Sequence, residues 1–364
     1  MPPERPRMLA VVPRFKWRHI DYVEALGLHF ELTVAYGESR ANGALEHALG
    51  KGMQGVRIEQ LERAVAEVRP DYVHVMYYHH EEQTLLVRDL VGEDVPLVFE
   101  CRDPITTLMR AEPGDRWFEL ERAALHASDR HIFVSRALRD YLARAHETDL
   151  SGALIVPQAY PAATVGPPAP KLSARDGRTH LALVGTAEDR PGNSRWYVDT
   201  IRALVGQGLV VHSHFHDLSE FGLSLEPYER LGAELADYHP HPAIPYGHGH
   251  KLSDAISRYD LMGVFHELDA PGHNEAATLA VCLPTKAVCG WLHGGIPVVC
   301  FRHYGGVVER IERLGIGFVV DDLDGVAGVA ADRAAIEAAT ERCLGCRHEF
   351  TTEHVAGRVS EFLG

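Results

Sequence analysis

Cysteine is scarce in this chain. Six residues (Cys101, Cys282, Cys289, Cys300, Cys343 and Cys346) are spread over 364 positions, too few for a disulfide scaffold. Most stand in apolar surroundings, as small core residues do. Cys343 and Cys346 have the spacing of a metal or redox pair, with His348 nearby. They fall in a helical segment with no second ligand pair, and are read as structural. Positive charge is also in deficit: 36 lysines and arginines face 51 acidic residues, a formal net charge of -15. That balance argues against a nucleic-acid backbone or an anionic membrane as the main partner. A few local cations can still dominate one cleft, so a small anionic ligand stays open. Long apolar runs are missing too. No stretch approaches the ~20 residues needed to cross a bilayer, so no integral membrane segment is expected. The opening "MPPERPRMLAVVPRF" has too short an apolar stretch for a signal peptide, and a cytoplasmic protein is expected.

What the chain does have is ordinary globular material, 46% hydrophobic and 24% charged, in a length that suits two domains. The first half alternates strand and helix. "MLAVVP" (8–13), "FELTVAYG" (30–37), "DYVHVMYY" (71–78), "VPLVFECRDP" (95–104), "RHIFVS" (130–135) and "GALIVPQAYP" (152–161) read as strands. Helical segments lie between them, "RIEQLERAVAEVRP" (57–70) and "WFELERAALHASD" (117–129) among them. The stretch 160–179 is rich in Pro, Ala and Gly without apolar period and reads as a linker. The alternation then resumes with "HLALVG" (180–185), "LVVHSHFH" (209–216) and further strands and helices. The expected fold is α/β, two doubly wound Rossmann-like domains with a cleft between them. The expected divisions are 1–165, a linker at 166–179, 180–345, and a C-terminal helix at 346–364 packing back towards the first domain.

One stretch asks for a ligand. "PTKAVCGWLHGGIPVVC" (284–300) reads as a helix of about three turns with a glycine C-cap, followed by a buried strand introduced by a proline. Lys286 falls in the first turn, where a cation meets the positive end of the helix dipole and needs solvent or an anion. "VVCFRHYGGVVERIE" then carries a buried strand into Gly305-Gly306, which opens a helix with Glu309 in its first turns. Paired glycines let a ligand approach the backbone. Earlier, "LVGTAEDRPGNSRW" follows its strand with Gly185 and Arg190. The spacing is not G-x-G-x-x-G, so no dinucleotide fingerprint is present. Two helix N-termini and a lysine converging on one sheet edge suit the pyrophosphate of a nucleotide. A solvated surface lysine and plain glycine turns are the alternative.

With these segments in order, the second half resembles the donor domain of GT-B glycosyltransferases, nearest to family 4 (group 1). "LPTKAVCGWLHGGIPVVC" is similar to that family's P-x-K-x-x-E segment and its G-x-P-V-V strand, and "YGGVVERIERLGIGFVVD" to the G-x-x-E segment that follows. In the first half "PDYVHVMYYHHE", "VPLVFECRDP" and "ELERAALHASDRHIFVSRALRDYL" match the acceptor domain in order and spacing. The resemblance implies a nucleotide diphosphate sugar as co-substrate, a small-molecule acceptor, no other cofactor and no essential metal. It implies donor-binding roles for Gly185, Arg190, Tyr246, Lys286, Gly305, Gly306 and Glu309: Lys286 and the glycine pair on the diphosphate, Glu309 by the ribose, Tyr246 beside the base. Two departures stand out. The second of the family's two glutamates falls at or beside Gly290, and Leu279–His303 contains no Asp or Glu. His266, Glu267, His273 and Glu275 lie in an enlarged loop that offers replacement contacts. Arg14, Trp17, Arg18 and His19 fill the first loop in place of a glycine pair.

For catalysis the candidates are Asp103, Arg102 and His79, at strand ends of the first half where an acidic or imidazole group can orient or deprotonate an acceptor hydroxyl. Asp103 serves equally well as a cap for the segment at Pro104. The 23 histidines invite a metal, since His212, His214 and His216 alternate on one strand. No carboxylate-rich cage or compact helical His pair accompanies them, and no metal is expected. The reading is a glycosyltransferase, metal-independent and retaining, acting on a hydroxyl or amine of a small metabolite or natural product. A GT-B nucleotide-sugar epimerase or phosphorylase, and a non-catalytic GT-B-like partner subunit, stay open, as does oligomeric state.

Overall fold

Strands buried on both faces carry near-continuous apolar sequence, and "MLAVV" and "HLALV" are of that kind. In the computed structural model, which describes residues 5–13, 17–37, 53–76, 80–188, 196–216, 224–244, 250–266 and 275–364, both runs become central strands. The chain divides into two units, Met1–Pro161 with Thr351–Gly364, and Ala162–Phe350.

The first unit holds β1 (Arg7–Val12), β2 (Glu31–Tyr36), β3 (Gln54–Arg57), β4 (Tyr72–Met76), β5 (Leu97–Cys101), β6 (Arg130–Phe133) and β7 (Leu154–Ile155). They form one parallel sheet in the order β3-β2-β1-β4-β5-β6-β7. Alternate residues of β1 serve two cores, as the two-residue period of a strand requires. Met8, Ala10 and Val12 pack with Ile20, Val23 and Leu26 of the helix Trp17–Leu26, and with Val355, Ala356, Val359 and Leu363 of the helix Thr352–Leu363. Leu9 and Val11 face Leu61, Ala64 and Val87 on the other side. The last helix is fastened at both ends: the Thr352 N–H donates to Tyr160 O (2.9 Å) and Tyr72 Oη to Leu363 O (2.8 Å).

The second unit holds β8 (His180–Gly185), β9 (Val210–Phe215), β10 (Tyr238–Pro242), β11 (Leu261–Val264), β12 (Val298–Phe301) and β13 (Gly317–Val320). Their order, β10-β9-β8-β11-β12-β13, is again parallel throughout. Both sheets therefore reverse winding direction beside their first strand, between β1 and β4 and between β8 and β11. Ligands of doubly wound sheets bind outside the carboxyl ends of the strands at such a point.

Three segments differ from the sequence reading. Arg57 ends β3, and the helix expected from 57 runs over Leu61–Val68 after a single turn at Ile58–Gln60. The edge strand "QGVR" has one apolar residue, so no apolar run announces it. The proline-rich stretch is fastened to the second unit: the Ala169 N–H donates to Ser257 Oγ (2.9 Å), Lys171 Nζ to Tyr259 O (2.6 Å) and Ser173 Oγ to Asp260 Oδ1 (2.6 Å). Finally, the helix after Pro284 is α only over Thr285–Val288, widens to a π-helix over Cys289–Gly294, and is closed by Gly295 at φ +57°.

Candidate functional site

The carboxyl ends of the second sheet gather a small set of side chains. β8 ends at Gly185, whose φ of +110° admits only glycine without strain. Its carbonyl accepts from the His216 N–H at 2.8 Å. Two residues beyond β11 stands His266, and three beyond β12 stands Tyr304, both buried. Lys286, half-buried in the turn after Pro284, reaches this edge. Its ammonium donates to Tyr197 Oη (2.8 Å) and to His266 Nε2 (2.9 Å). Ring positions support the arrangement: Lys286 Nζ lies 5.4 Å from the Tyr197 ring centroid, and Tyr197 stacks on Phe215 at 5.3 Å. An ammonium has only hydrogens to offer, so Nε2 is the accepting nitrogen of His266. Nδ1 then carries the proton and donates to Tyr304 Oη at 2.9 Å. Tyr304 is the N-cap of the helix Gly305–Leu314. The Gly305 N–H is spent on His303 O (3.1 Å), and Val307 and Val308 donate to Tyr304 O. Among the described residues none accepts from the Gly306 N–H, an amide of the kind a helix N-terminus offers to an anion. Glu309 follows in the second turn, half-buried.

The departure at Gly290 has a steric cause. A Cβ there would lie 2.9 Å from Met262 Cβ and 3.2 Å from Val298 Cγ2. The helix is pressed onto β11 and β12, and a glutamate at this position has no room. The fully buried Trp291, whose Nε1 donates to Ile316 O at 2.8 Å, fixes that close approach.

The corresponding ends in the first unit are built from carboxylates. Arg102 is buried and its Nε and Nη2 reach Glu100 Oε1 at 2.7 and 2.6 Å. His74 Nε2 lies 2.9 Å from Glu100 Oε2. Burial pushes Glu100 up, but the Arg102 charge and His74 together outweigh it and hold the carboxyl at about 2. Asp103 is half-buried and does not cap the next helix. That task belongs to Glu121, which accepts from the Ile105 N–H and from Thr106 Oγ1, each at 2.7 Å, and contacts His146 Nε2 at 2.8 Å. Glu81 opens the helix Glu81–Val91 in a buried position. Burial pushes its carboxyl up to about 7, the charges of Glu121 and Glu82 adding to the rise.

The histidines of the second sheet are spent on each other. Register places His239 beside His212 and His241 beside His214. His180 Nδ1 lies 2.9 Å from His212 Nε2, and His212 Nδ1 lies 3.0 Å from His241 Nε2. His180 Nε2 contacts Asp176 Oδ2 at 3.1 Å, and His214 Nε2 contacts Tyr259 Oη at 2.9 Å. Among the described residues no group of three or more His, Cys, Asp or Glu is arranged to hold a metal ion. Cys343 and Cys346 are packing residues: burial pushes both thiols up, Cys346 to about 11, and each Sγ points at a backbone carbonyl.

No protein-family model matches this chain, and no curated protein sequence does. Solved structures do match. Anabaena HepE in complex with UDP superposes with a TM-score of 0.69 at 13% identity, over 98% of this chain and 99% of that one. A glycosyltransferase from Rickettsia africae gives 0.67 at 10% identity, over 99% of this chain and 98% of that one. Sucrose-phosphate synthase from Thermosynechococcus elongatus gives 0.64 at 14%, over 98% of each. The fold is GT-B.

On this GT-B frame the expected site residues fall into three groups. Gly185, Lys286, Gly305, Gly306 and Glu309 lie in the second unit, after its strands β8 and β12 or on the helix that delivers Lys286. Arg102 and Asp103 lie after β5 of the first unit, Arg102 committed to Glu100. His79, Arg190 and Tyr246 lie outside the described residues, with Arg14, Glu267 and His273. Sequence reasoning gave no role to Tyr197, Tyr304, Glu100 and Glu121. Two of these carried a signal. Glu100 and Arg102, two apart at a strand end, share a face, and Glu121 stands among Phe118, Ala124 and Leu125 on the buried face of its helix.

Proposed function

We propose that this chain is a glycosyltransferase that moves a sugar from a nucleotide diphosphate sugar to a hydroxyl or amine of a small acceptor, with retention and without a metal ion. The observation that carries the reading is the placement of Lys286. Its ammonium is steered by Tyr197 and His266 to the carboxyl edge of the second sheet, beside the glycine-opened helix at Gly305. HepE, of the same fold, binds UDP and UDP-glucose. In the reaction the bond from the sugar's anomeric carbon to the diphosphate oxygen breaks, and the electron pair leaves with the diphosphate. Lys286 and the Gly306 amide at the start of the Gly305–Leu314 helix meet that growing charge without having to reorganise. The acceptor's oxygen or nitrogen forms the new bond to the anomeric carbon on the face the diphosphate leaves, as retention requires. Its proton passes to a base, for which Asp103, His79 and Glu81, whose carboxyl burial pushes up to about 7, are the candidates. The acidic balance of the chain, -15, favours a soluble small acceptor over an anionic surface.

Calorimetric titration with UDP, GDP, TDP and ADP, with and without EDTA, tests the reading. One of the four binding equally well with EDTA supports it and names the base. If none binds, the chain is better described as a GT-B-like partner without a donor site.

A further inference from the structure

Lys286 and His266 share a hydrogen bond between two basic groups, and that fixes how much charge they hold. The ammonium donates to Nε2 of His266 at 2.9 Å, so that nitrogen is bare. The ring's single proton is at Nδ1, turned to Tyr304 Oη. In this state the pair carries one positive charge rather than two. Among the described residues, the titratable groups facing the ring include Lys286 after Pro284, Tyr197 before the helix Val198–Gly206, and Tyr304 after β12, with the His303 ring 4.4 Å from that of Tyr304. Phe215 of β9, against Tyr197, is apolar.

We propose that His266 is the second cation of the donor site and takes up its proton only when a nucleoside diphosphate arrives; this rests on the donor-site reading above. A diphosphate oxygen reaching Lys286 competes with Nε2 for the ammonium's hydrogens. Once Nε2 is released, it takes a proton from water and donates it as a charge-assisted hydrogen bond to the diphosphate. Nδ1–H stays on Tyr304, which holds the ring plane so that Nε2 remains aimed at the place Lys286 occupies. No covalent bond changes. The empty site thus avoids two buried charges side by side, which the free protein would otherwise have to carry. The filled site gains a cation matched to its ligand. Tyr304 is a positioning residue in this scheme, and His266 a binding one.

The experiment is calorimetry with each of the four nucleoside diphosphates at pH 8, in buffers of differing ionisation enthalpy. At this pH the nucleotide's terminal phosphate, which titrates near about 6, is already ionised. An unperturbed imidazole, near about 6.5, is largely neutral. The wild-type protein should take up on the order of one proton per ligand bound, and its affinity should fall by up to about tenfold per pH unit above neutrality. His266→Gln should bind more weakly at pH 6.5, take up no proton and show a flat pH profile. Tyr304→Phe should keep the uptake while binding more weakly. Binding with the same heat in every buffer overturns the proposal and leaves the donor site standing. Uptake that persists undiminished in His266→Gln overturns the assignment to His266. Failure of all four ligands to bind overturns both. Should the glutamine variant not fold, the buffer series on the wild-type protein decides alone.

Discussion

Acidification should loosen the second sheet before it touches most other contacts, because of the histidine chain across β8, β9 and β10. The Asp176 carboxylate can only accept, so His180 Nε2 holds a hydrogen and His180 Nδ1 accepts from His212 Nε2. His212 Nδ1 in turn accepts from His241 Nε2. Each link needs one bare nitrogen and one protonated one, and with these tautomers a second proton on His212 Nδ1 would displace the bond from His241, so the chain needs His212 neutral. Burial, with the neighbouring imidazoles adding, holds His212 at about 2, and burial holds His214 at about 4. Both are nearly enclosed, at 5% and 8% exposure, so solvent screening removes little of the effect. In the unfolded chain an imidazole titrates near about 6.5. Above that pH neither state binds these protons, and the stability is complete. As pH falls below it, the unfolded chain gains protons the folded one refuses, and stability is lost through about 4 for His214 and onwards to about 2 for His212. Between pH 7 and pH 5 linkage gives a loss of about 2 kcal/mol for each, so on the order of 4 kcal/mol together. Amide hydrogen exchange of peptides covering β9, corrected for intrinsic rates, reads this locally. The His212→Phe variant should be less stable at pH 7 by about 1–3 kcal/mol, having orphaned its two partners. It should then lose about 2 kcal/mol less than wild type on going to pH 5. Parallel curves for the two proteins would refute the neutral-chain account.

Four further outcomes follow from named contacts. Lys286→Ala should weaken nucleoside diphosphate binding by about 1.5–3 kcal/mol, the worth of a charge-assisted hydrogen bond, read by calorimetry. Unchanged affinity removes Lys286 from the site. Asp103→Asn should lower kcat with little change in nucleotide affinity or Tm, since Glu121 does the capping nearby; a variant that mainly unfolds contradicts this. Glu100→Gln strands the buried Arg102 charge and should cost about 3–5 kcal/mol of stability in urea unfolding near neutral pH. Glu81→Gln should raise stability at pH 8 by up to about 3 kcal/mol and change it little at pH 4. The group's folded-state pKa is raised to about 7, so its contribution is full below the unfolded carboxylate range and lost as pH rises through 7. Equal effects at the two pH values would show that Glu81 is ionised throughout.

What was legible in the sequence was whatever depends on near neighbours. Apolar runs announced β1 and β8, and Gly185, Lys286 and the Gly305-Gly306 helix start were all visible as local punctuation. Their partners were not, because those arrive from far along the chain. Lys286 meets Tyr197 across 89 residues and His266 across 20. The cap at Ile105 comes from Glu121, sixteen residues on, while the tempting adjacent Asp103 stands aside. β3 was missed because an exposed edge strand needs no apolar run, its pairing being supplied by the β2 backbone. Gly290 read as a missing glutamate, and only the packing on Met262 shows that the position is sterically closed.

The same strand order carries opposite chemistry in the two units, and that difference argues for which unit takes which substrate. After β8, β11 and β12 the second unit presents an ammonium, an imidazole and phenols around a helix start with an unspent amide. Such a set is complementary to a diphosphate. After β4 and β5 the first unit presents Glu81, Glu100 and Asp103, with Arg102 neutralised inside the pair it forms with Glu100. A diphosphate placed there would meet carboxylates at close range, at a cost that burial enlarges. A hydroxyl or amine acceptor would meet groups able to accept its proton. Had the two ends been alike, the fold alone would leave donor and acceptor interchangeable. On the function proposed above, these charges favour the second unit for the donor and the first for the acceptor's proton.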